Sequence, residues 1–215
     1  MTGAIETEVQ FQYRGQEVPV VPTELLELVL GCSERQLIVD VYYDTAGLDL
    51  RRAGSSLRIR QSEISSQPTL TWKGKSSKQG RTKRRGETEV PLDSLPDSGD
   101  ELIHLLDRLG LWEGVRKAGK LGREAALSEI GRLQNNRSSH TYLGGLKHLE
   151  LTWDRLHYPK GPDEIRLEVE VKSHRAASDL HRVSSELEDL FDGKLVAPER
   201  GKLAELCHRL YPDVL

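Results

Sequence analysis

The sequence predicts an α+β domain dominated by antiparallel strands. Polar and apolar residues alternate with a period of two in six separate segments, which is the pattern of a strand with two unlike faces. Between several of these segments, apolar residues are spaced three and four positions apart, as in an amphipathic helix. No repeat of fixed period and no low-complexity linker interrupts the pattern. We therefore expect residues 1–215 to form a single domain.

The six alternating segments predict the strands. In the first, residues 4–12, Ile5, Val9 and Phe11 share one phase while Glu6 and Glu8 share the other. The remaining five segments, in chain order, are residues 57–61, 70–75, 81–89, 149–154 and 165–172. The Gly161-Pro162 pair predicts a turn just before the last of them.

Helical spacing of leucines predicts four helices. We expect them over residues 22–31, 100–109 and 180–193, and from Pro198 toward the C-terminus. Pro22 is typical of a first helical turn. Glycines at positions 31, 110 and 193 are typical of helix ends.

The composition excludes several classes of protein. The chain has 31 basic and 34 acidic residues, so we expect no nucleic-acid partner and no membrane association. Cys32 and Cys207 lack the spacing of a disulfide framework or of a thiolate zinc site. No apolar run approaches the length of a membrane span and no signal sequence is present, so we expect a cytoplasmic location. The sequence also lacks the P-loop and GxSxG motifs.

The polar phase of several strands consists almost wholly of Glu, Asp, Arg and Lys. Such faces commonly point to water and form weak cross-strand ion pairs. Alternatively, the faces line one closed barrel, whose charged interior then needs a ligand or water to neutralise it. Carboxylates suit Mg²⁺ or Mn²⁺, and Arg and Lys suit phosphate oxygens, so the second interpretation predicts phosphoryl chemistry.

Short charged motifs follow one another along the chain. They are Glu6 with Glu8, YYDT at residues 42–45, LRxR at residues 57–60, TxKG at residues 71–74, RxExE at residues 85–89, and Glu168 with Glu170. Arg137, Asp154 and Lys202 complete the series. In this order the motifs resemble the CYTH superfamily of triphosphate tunnel metalloenzymes, which includes thiamine triphosphatases, inorganic triphosphatases and class IV adenylate cyclases. Two positions depart from the family pattern: Gln10 replaces the lysine of ExExK, and Lys75 stands where proline is usual.

The resemblance implies a closed eight-stranded antiparallel β-barrel, or tunnel, with flanking helices, and a requirement for Mg²⁺ or Mn²⁺. It implies a metal side made of carboxylates, namely Glu6, Glu8, Asp154, Glu168 and Glu170. It implies phosphate-binding cations, namely Arg58, Arg60, Lys73, Lys75, Arg85, Arg137 and Lys202. There are four further candidates, namely Gln10, Lys83, Glu87 and Glu89. Because Gln10 replaces the lysine of the motif, the site has one positive charge fewer than the family pattern.

The same resemblance leaves three functions open. The first is metal-dependent hydrolysis of inorganic triphosphate, thiamine triphosphate or a nucleoside triphosphate, with a metal-activated water as the attacking group. The second is a class IV adenylate cyclase that forms cyclic AMP from ATP. The third is a protein that binds polyphosphate or a nucleotide without turnover. In each of them the expected partner is a small phosphate compound.

Overall fold

The computed structural model describes residues 4–75, 77–79, 82–145, 147–171 and 180–214. For residues 4–7, 77–79, 82–85, 147 and 171 it describes the backbone alone. Within these ranges there are five helices: α1 (Asp49–Arg52), α2 (Gly99–Arg108), α3 (Trp112–Gly119), α4 (Leu180–Leu190) and α5 (Lys202–Leu210). Among the same residues, no helix is long and apolar enough to cross a membrane.

Eleven strands of the described chain form one sheet in which every pairing is antiparallel. They are β1 (Ala4–Tyr13), β2 (Glu24–Leu25), β3 (Leu28–Asp44), β4 (Ser56–Ser62), β5 (Thr69–Lys73), β6 (Ser77–Gln79), β7 (Thr82–Pro91), β8 (Ser128–Gly144), β9 (Lys147–His157), β10 (Glu164–Val171) and β11 (Leu195–Val196). Their order is β11-β1-β10-β9-β8-β3-β4-β5-β7-β6, with β2 attached to β3.

The predicted closed barrel of eight strands is wrong, because the described sheet has eleven strands: ten on a path that ends at β11 and β6, and β2 beside β3. The three strands outside the predicted count, β2, β6 and β11, are two or three residues long. A strand this short cannot show alternation, so sequence patterning does not predict it.

Strand β1 has partners on both edges. β10 pairs with Glu8–Tyr13 along one edge. On the other edge, β7 pairs with Ala4–Val9 and β11 with Gln12 and Tyr13. The polar faces of β7 and β10 therefore lie on either side of the polar face of β1.

The predicted helix over residues 22–31 is wrong: this segment is the hairpin of β2 and β3. Leu26 and Glu27, at its tip, have φ angles of 47° and 64°. Two consecutive residues with positive φ form the tight turn that suits the twist of a two-residue hairpin. The spacing of the leucines around this turn resembled one helical turn by coincidence.

The other three predicted helices are confirmed as α2, α4 and α5, and the six alternating segments are confirmed as β1, β4, β5, β7, β9 and β10. The sequence analysis missed α1, α3 and the two longest strands, β3 and β8, which have 17 residues each. These two strands pair with each other along most of their length. Their register is continuous from Cys32 to Tyr42, but their sequences do not alternate there: Leu37, Ile38 and Val39 of β3 are consecutive apolar residues, and residues 134–141 of β8 are all polar.

The helices cover the apolar face of the sheet in three places. α4 buries Val183 and Leu187 in one cluster with Trp153 of β9. α2 and α3 pack in a second cluster with β4 and β5, and α5 packs in a third with Leu133 of β8. Since successive residues of a strand point to opposite faces, the charged phase of these strands lies on the face turned away from these three cores.

Candidate functional site

Side chains on the charged face of the sheet are buried, as are those on the apolar face. On β9, Trp153 and its neighbour Asp154 are both 0% exposed, although they point to opposite faces. On β3, Asp40 is 1% exposed. Charged side chains are almost never fully buried unless they are paired. The side chains on this face therefore have to bury and neutralise one another, and we call them the charged cluster: Gln10, Asp40, Arg58, Arg60, Lys73, Glu87, Arg137, Asp154, Glu168 and Lys202.

Asp40 is the centre of one half of the cluster. Arg60 of β4 donates two hydrogen bonds to its carboxylate, from Nε at 2.8 Å and from Nη2 at 2.9 Å. Arg58 donates a third from Nη1 at 3.3 Å. Burial favours the protonated carboxyl, but the charges of Arg58 and Arg60 outweigh burial and lower the pKa of Asp40 well below its ordinary value. Asp40 is therefore ionised at neutral pH and holds two arginines in place.

Arg58 also faces strands β5 and β7. Its Nη2 lies 4.0 Å from Oε1 of Glu87, and the same oxygen lies 2.9 Å from Nζ of Lys73. The Nε of Arg58 is buried and has no hydrogen-bond partner among the described residues. A buried donor without an acceptor costs free energy, so this N–H suits the oxygen of an anionic ligand.

Asp154 is the centre of the other half. Arg137 of β8 donates to it from Nε at 2.7 Å and from Nη2 at 2.8 Å. Lys202, the first residue of α5, pairs with its Oδ2, and Asn135 donates to its Oδ1 at 2.7 Å. Burial raises the pKa of Asp154, but Arg137 and Lys202 outweigh burial and lower the pKa well below its ordinary value.

Glu168 of β10 joins this half to β1. It accepts hydrogen bonds from Nε2 of Gln10 at 2.7 Å and from Nη2 of Arg137 at 3.2 Å. Nζ of Lys202 lies 3.0 Å from it. Burial raises the pKa of Glu168, but Lys202 and Arg137 together outweigh burial and lower the pKa. Gln10 also donates to Glu8 at 3.0 Å, so one amide bridges two carboxylates.

A row of three glutamates crosses the strands next to Gln10. Glu8 of β1 is in register with Glu170 of β10, and Glu170 is in register with Glu150 of β9. Side chains in register on adjacent strands lie about 5 Å apart at Cβ. The row therefore offers the oxygen donors that Mg²⁺ and Mn²⁺ prefer. In the described part of the chain, however, no three acidic, histidine or cysteine side chains are already arranged around a common ion position.

The structure brings seven of the predicted phosphate-site and metal-site residues into this cluster, together with Gln10 and Glu87. The seven are Arg58, Arg60, Lys73, Arg137, Asp154, Glu168 and Lys202. Glu8 and Glu170 belong to the adjoining glutamate row.

The remaining predicted residues lie outside the charged cluster or have side chains outside the described part of the structure. Lys75 is exposed, in the segment that follows β5. Glu89 is exposed and accepts a hydrogen bond from Thr71 at 3.3 Å. The side chains of Glu6, Lys83 and Arg85 lie outside the described part of the structure; in backbone register Glu6 is opposite Arg85, and Glu8 is opposite Lys83.

Sequence reasoning missed Asp40, Asn135 and Glu150. Asp40 and Asn135 lie on the two long strands that were not predicted, so their alternation phase was unknown. Glu150 shares the phase of Asp154 and could have been found by that signal. In contrast, Asp44 of the YYDT motif has a structural role: it accepts hydrogen bonds from the backbone N–H groups of Leu50 and Arg51 and so fixes α1.

The fold and the cluster together define a class of protein in which an antiparallel sheet carries a buried charged face. The family model of the CYTH domain matches residues 4–191, so the chain belongs to the CYTH domain family. The resemblance found in the sequence motifs is thereby confirmed. A comparison with curated proteins found no match.

Several solved structures share the fold. A candidate adenylyl cyclase from Hippeastrum, described as having a dominant triphosphatase activity, is 18% identical with a TM-score of 0.64, and the alignment covers 94% of each chain. A candidate adenylate cyclase from Bacillus halodurans is 20% identical with a TM-score of 0.54, over 80% of this chain and 82% of that one. The PH1819 protein of Pyrococcus horikoshii OT3 is 19% identical with a TM-score of 0.50, over 94% and 98%.

Proposed function

We propose that the charged cluster binds a triphosphate compound together with Mg²⁺ or Mn²⁺ and hydrolyses it. The observation that carries this proposal is the concentration of buried cations on one face of the sheet, where Arg58 keeps an Nε donor with no partner among the described residues. Membership of the CYTH family and the triphosphatase activity described for the Hippeastrum protein support the same chemistry.

The cations are of the kind that phosphate needs. Arg58, Arg60 and Arg137 present planar guanidinium groups, which match phosphate oxygens with two parallel hydrogen bonds. Asp40 and Asp154 hold these groups in place before a ligand arrives. Such preorganised donors stabilise the charge that develops on the phosphoryl oxygens, and they do so without reorganising during the reaction.

We assign the divalent cation to the glutamate row of Glu8, Glu150 and Glu170, which lie in register on three adjacent strands. Oxygen ligands of this kind suit Mg²⁺ and Mn²⁺. These glutamates would hold the cation, which would supply Lewis-acid chemistry for the attack of water on the phosphoryl group. The protein residues would contribute the glutamate row as the metal ligands and, beside it, the arginines and lysines of the charged cluster as the phosphate ligands.

Gln10 favours a second candidate, a protein that binds triphosphate without turnover. Its amide bridges Glu8 and Glu168 at 3.0 and 2.7 Å but brings no positive charge to the site. A lysine here would add one charge near the phosphates, and the rate of hydrolysis depends on such charges more than simple binding does.

The test is incubation with tripolyphosphate, thiamine triphosphate and ATP, each with Mg²⁺ or Mn²⁺. Release of phosphate supports hydrolysis. Formation of cyclic AMP and pyrophosphate from ATP identifies a cyclase instead. Metal-dependent binding without product supports the binding protein, and absence of binding to all three compounds contradicts the proposal.

A further inference from the structure

Strand β10 carries a buried arginine that no motif above includes. Arg166 is 2% exposed and lies in register with Asp154 of β9, the carboxylate that Lys202 contacts. It shares the alternation phase of Glu168, so it points to the charged face. A fully buried guanidinium is rare unless its donors are used, so its contacts show what it does.

Arg166 uses its nitrogens on three different targets, the longest contact being from Nη2 to the Tyr158 hydroxyl at 3.4 Å. Nε and Nη2 donate to Oε2 of Glu164 at 3.0 and 2.6 Å. Nη1 donates to the backbone carbonyl of Arg200 at 2.8 Å. The contact with Glu164 neutralises the charge, and the contact with Arg200 fixes the chain two residues before Lys202. A lysine at position 166 could keep an ion pair with Glu164, but its single nitrogen cannot reproduce the guanidinium fork and the carbonyl contact together.

The far end of α5 is tied to the same strand. Oε1 of Glu164 accepts a hydrogen bond from Nη2 of Arg209 at 2.6 Å, and Arg209 also pairs with Glu205 one turn earlier in the helix. The pair of Glu164 and Arg166 therefore holds both the start and the end of α5. Lys202, the first residue of this helix, reaches Asp154 and Glu168 from that fixed position.

From these contacts we infer that Arg166 is the positioning residue for Lys202: it clamps the start of α5 so that the Lys202 ammonium points into the charged cluster. The polar residues of β10 thus have two different roles. Glu164 and Arg166 anchor the helix, whereas Glu168 and Glu170 face the ligand position. The consequence for phosphate binding rests on the proposed function, but the position of Lys202 does not.

The test is Arg166→Lys, compared with Arg155→Lys as the matched control. Arg155 also donates to a loop carbonyl, that of Gln16 at 3.1 Å, but it is bonded to a loop that contributes nothing to the charged cluster. Each protein is treated briefly with an acetylating reagent, and the modified fraction of Lys202 is measured by mass spectrometry. Lys117, whose side chain is 73% exposed, is the internal reference.

We expect Lys202 to be protected in the wild type and in Arg155→Lys, and its acetylation to rise several-fold in Arg166→Lys while that of Lys117 stays constant. Glu164→Gln, which loosens both ends of α5, should also raise the acetylation of Lys202. This variant replaces Arg166→Lys in the test if Arg166→Lys does not fold. In calorimetric titrations with tripolyphosphate and Mg²⁺, Arg166→Lys should bind about tenfold more weakly than the control.

Unchanged acetylation of Lys202 in folded Arg166→Lys overturns the inference, whatever the affinity. Increased acetylation of Lys202 with unchanged affinity for tripolyphosphate would show that Arg166 has no role in phosphate binding. If wild type binds no tripolyphosphate, the proposed function fails, yet the acetylation result still decides whether Arg166 positions Lys202.

Discussion

Arg137 and Asp154 face each other across β8 and β9 and form a two-point ion pair, with Nε–Oδ1 and Nη2–Oδ2 distances of 2.7 and 2.8 Å. Asp154 is fully buried, so its charge depends on this arginine, on Lys202 and on Asn135 for compensation. Removal of one partner from a buried ion pair is far more costly than removal of an exposed one, because the remaining charge stays desolvated.

We therefore expect Arg137→Ala to lower the free energy of unfolding by about 3 kcal/mol. Arg132→Ala is the control, since Arg132 lies on the same strand in an exposed pair with Glu129 and should cost no more than about 0.5 kcal/mol. Urea denaturation of the two variants measures the difference. Similar losses in both would show that Asp154 does not depend on Arg137.

The stability of the protein should fall in acid through Asp40. Burial opposes ionisation of this carboxyl, but Arg58 and Arg60 outweigh burial and lower its pKa in the folded state. In the unfolded chain the Asp40 carboxyl has an ordinary pKa of about 4. It is therefore protonated at a pH at which the folded chain keeps it ionised. The stabilisation is therefore complete above about pH 4 and is lost as the pH falls through the folded-state value.

The measurement for Asp40 is the urea midpoint between neutral pH and about pH 3 for wild type and for Asp40→Asn. The variant should be less stable at neutral pH and should lose less on acidification, since it lacks one carboxyl with a lowered pKa. Parallel pH profiles would contradict the role given to Asp40.

Gln10→Lys should strengthen the site. The new ammonium would lie between Glu8 and Glu168, which the amide of Gln10 now bridges, and would add one positive charge near the phosphates. We expect roughly tenfold tighter binding of tripolyphosphate, a gain of about 1.4 kcal/mol, and faster phosphate release. Gln67→Lys, at an exposed position, adds the same charge elsewhere and should change neither. Equal effects of the two substitutions would mean that only net charge matters.

The tip of the β2–β3 hairpin is strained at Glu27, an exposed residue with φ of 64°. Glycine adopts positive φ without the steric cost that a side chain incurs. Glu27→Gly should therefore raise the free energy of unfolding by about 0.5–1 kcal/mol, measured by urea denaturation. Glu24→Gly, in the adjoining two-residue strand, should lower the free energy of unfolding, because glycine is unfavourable in strands. Destabilisation by both would contradict the assigned turn.

The sequence predicted the strands with clear alternation and the helices with a regular apolar stripe, since each of these shows a local period. It did not predict β3 and β8, where a run of apolar residues (37–39) and a run of polar residues (134–141) replace the alternation. It took the leucines around Glu27 for a helix, because hairpin pairing depends on the partner strand rather than on local spacing. The count of strands was also wrong, for β2, β6 and β11 are too short to leave a pattern.

For the site, the ordered motifs identified charged residues such as Arg58 and Lys202, which the fold brings together from distant elements. Sequence alone could not find Asp40, whose importance comes from its two arginine partners across the sheet. Asp44 of the YYDT motif was not assigned to the metal side, and its carboxylate fixes the start of α1 instead.

Calorimetric titration of tripolyphosphate with Mn²⁺ into wild type, Arg58→Ala and Arg116→Ala tests the central claim most directly. Arg116 is a partly exposed arginine of α3 that pairs with Glu113, so it controls for loss of an arginine outside the cluster. We predict metal-dependent binding to wild type and Arg116→Ala, and a loss of at least about thirtyfold in affinity for Arg58→Ala, with its thermal unfolding still cooperative. Absence of binding to the wild type, or equal affinity in all three proteins, would contradict the account.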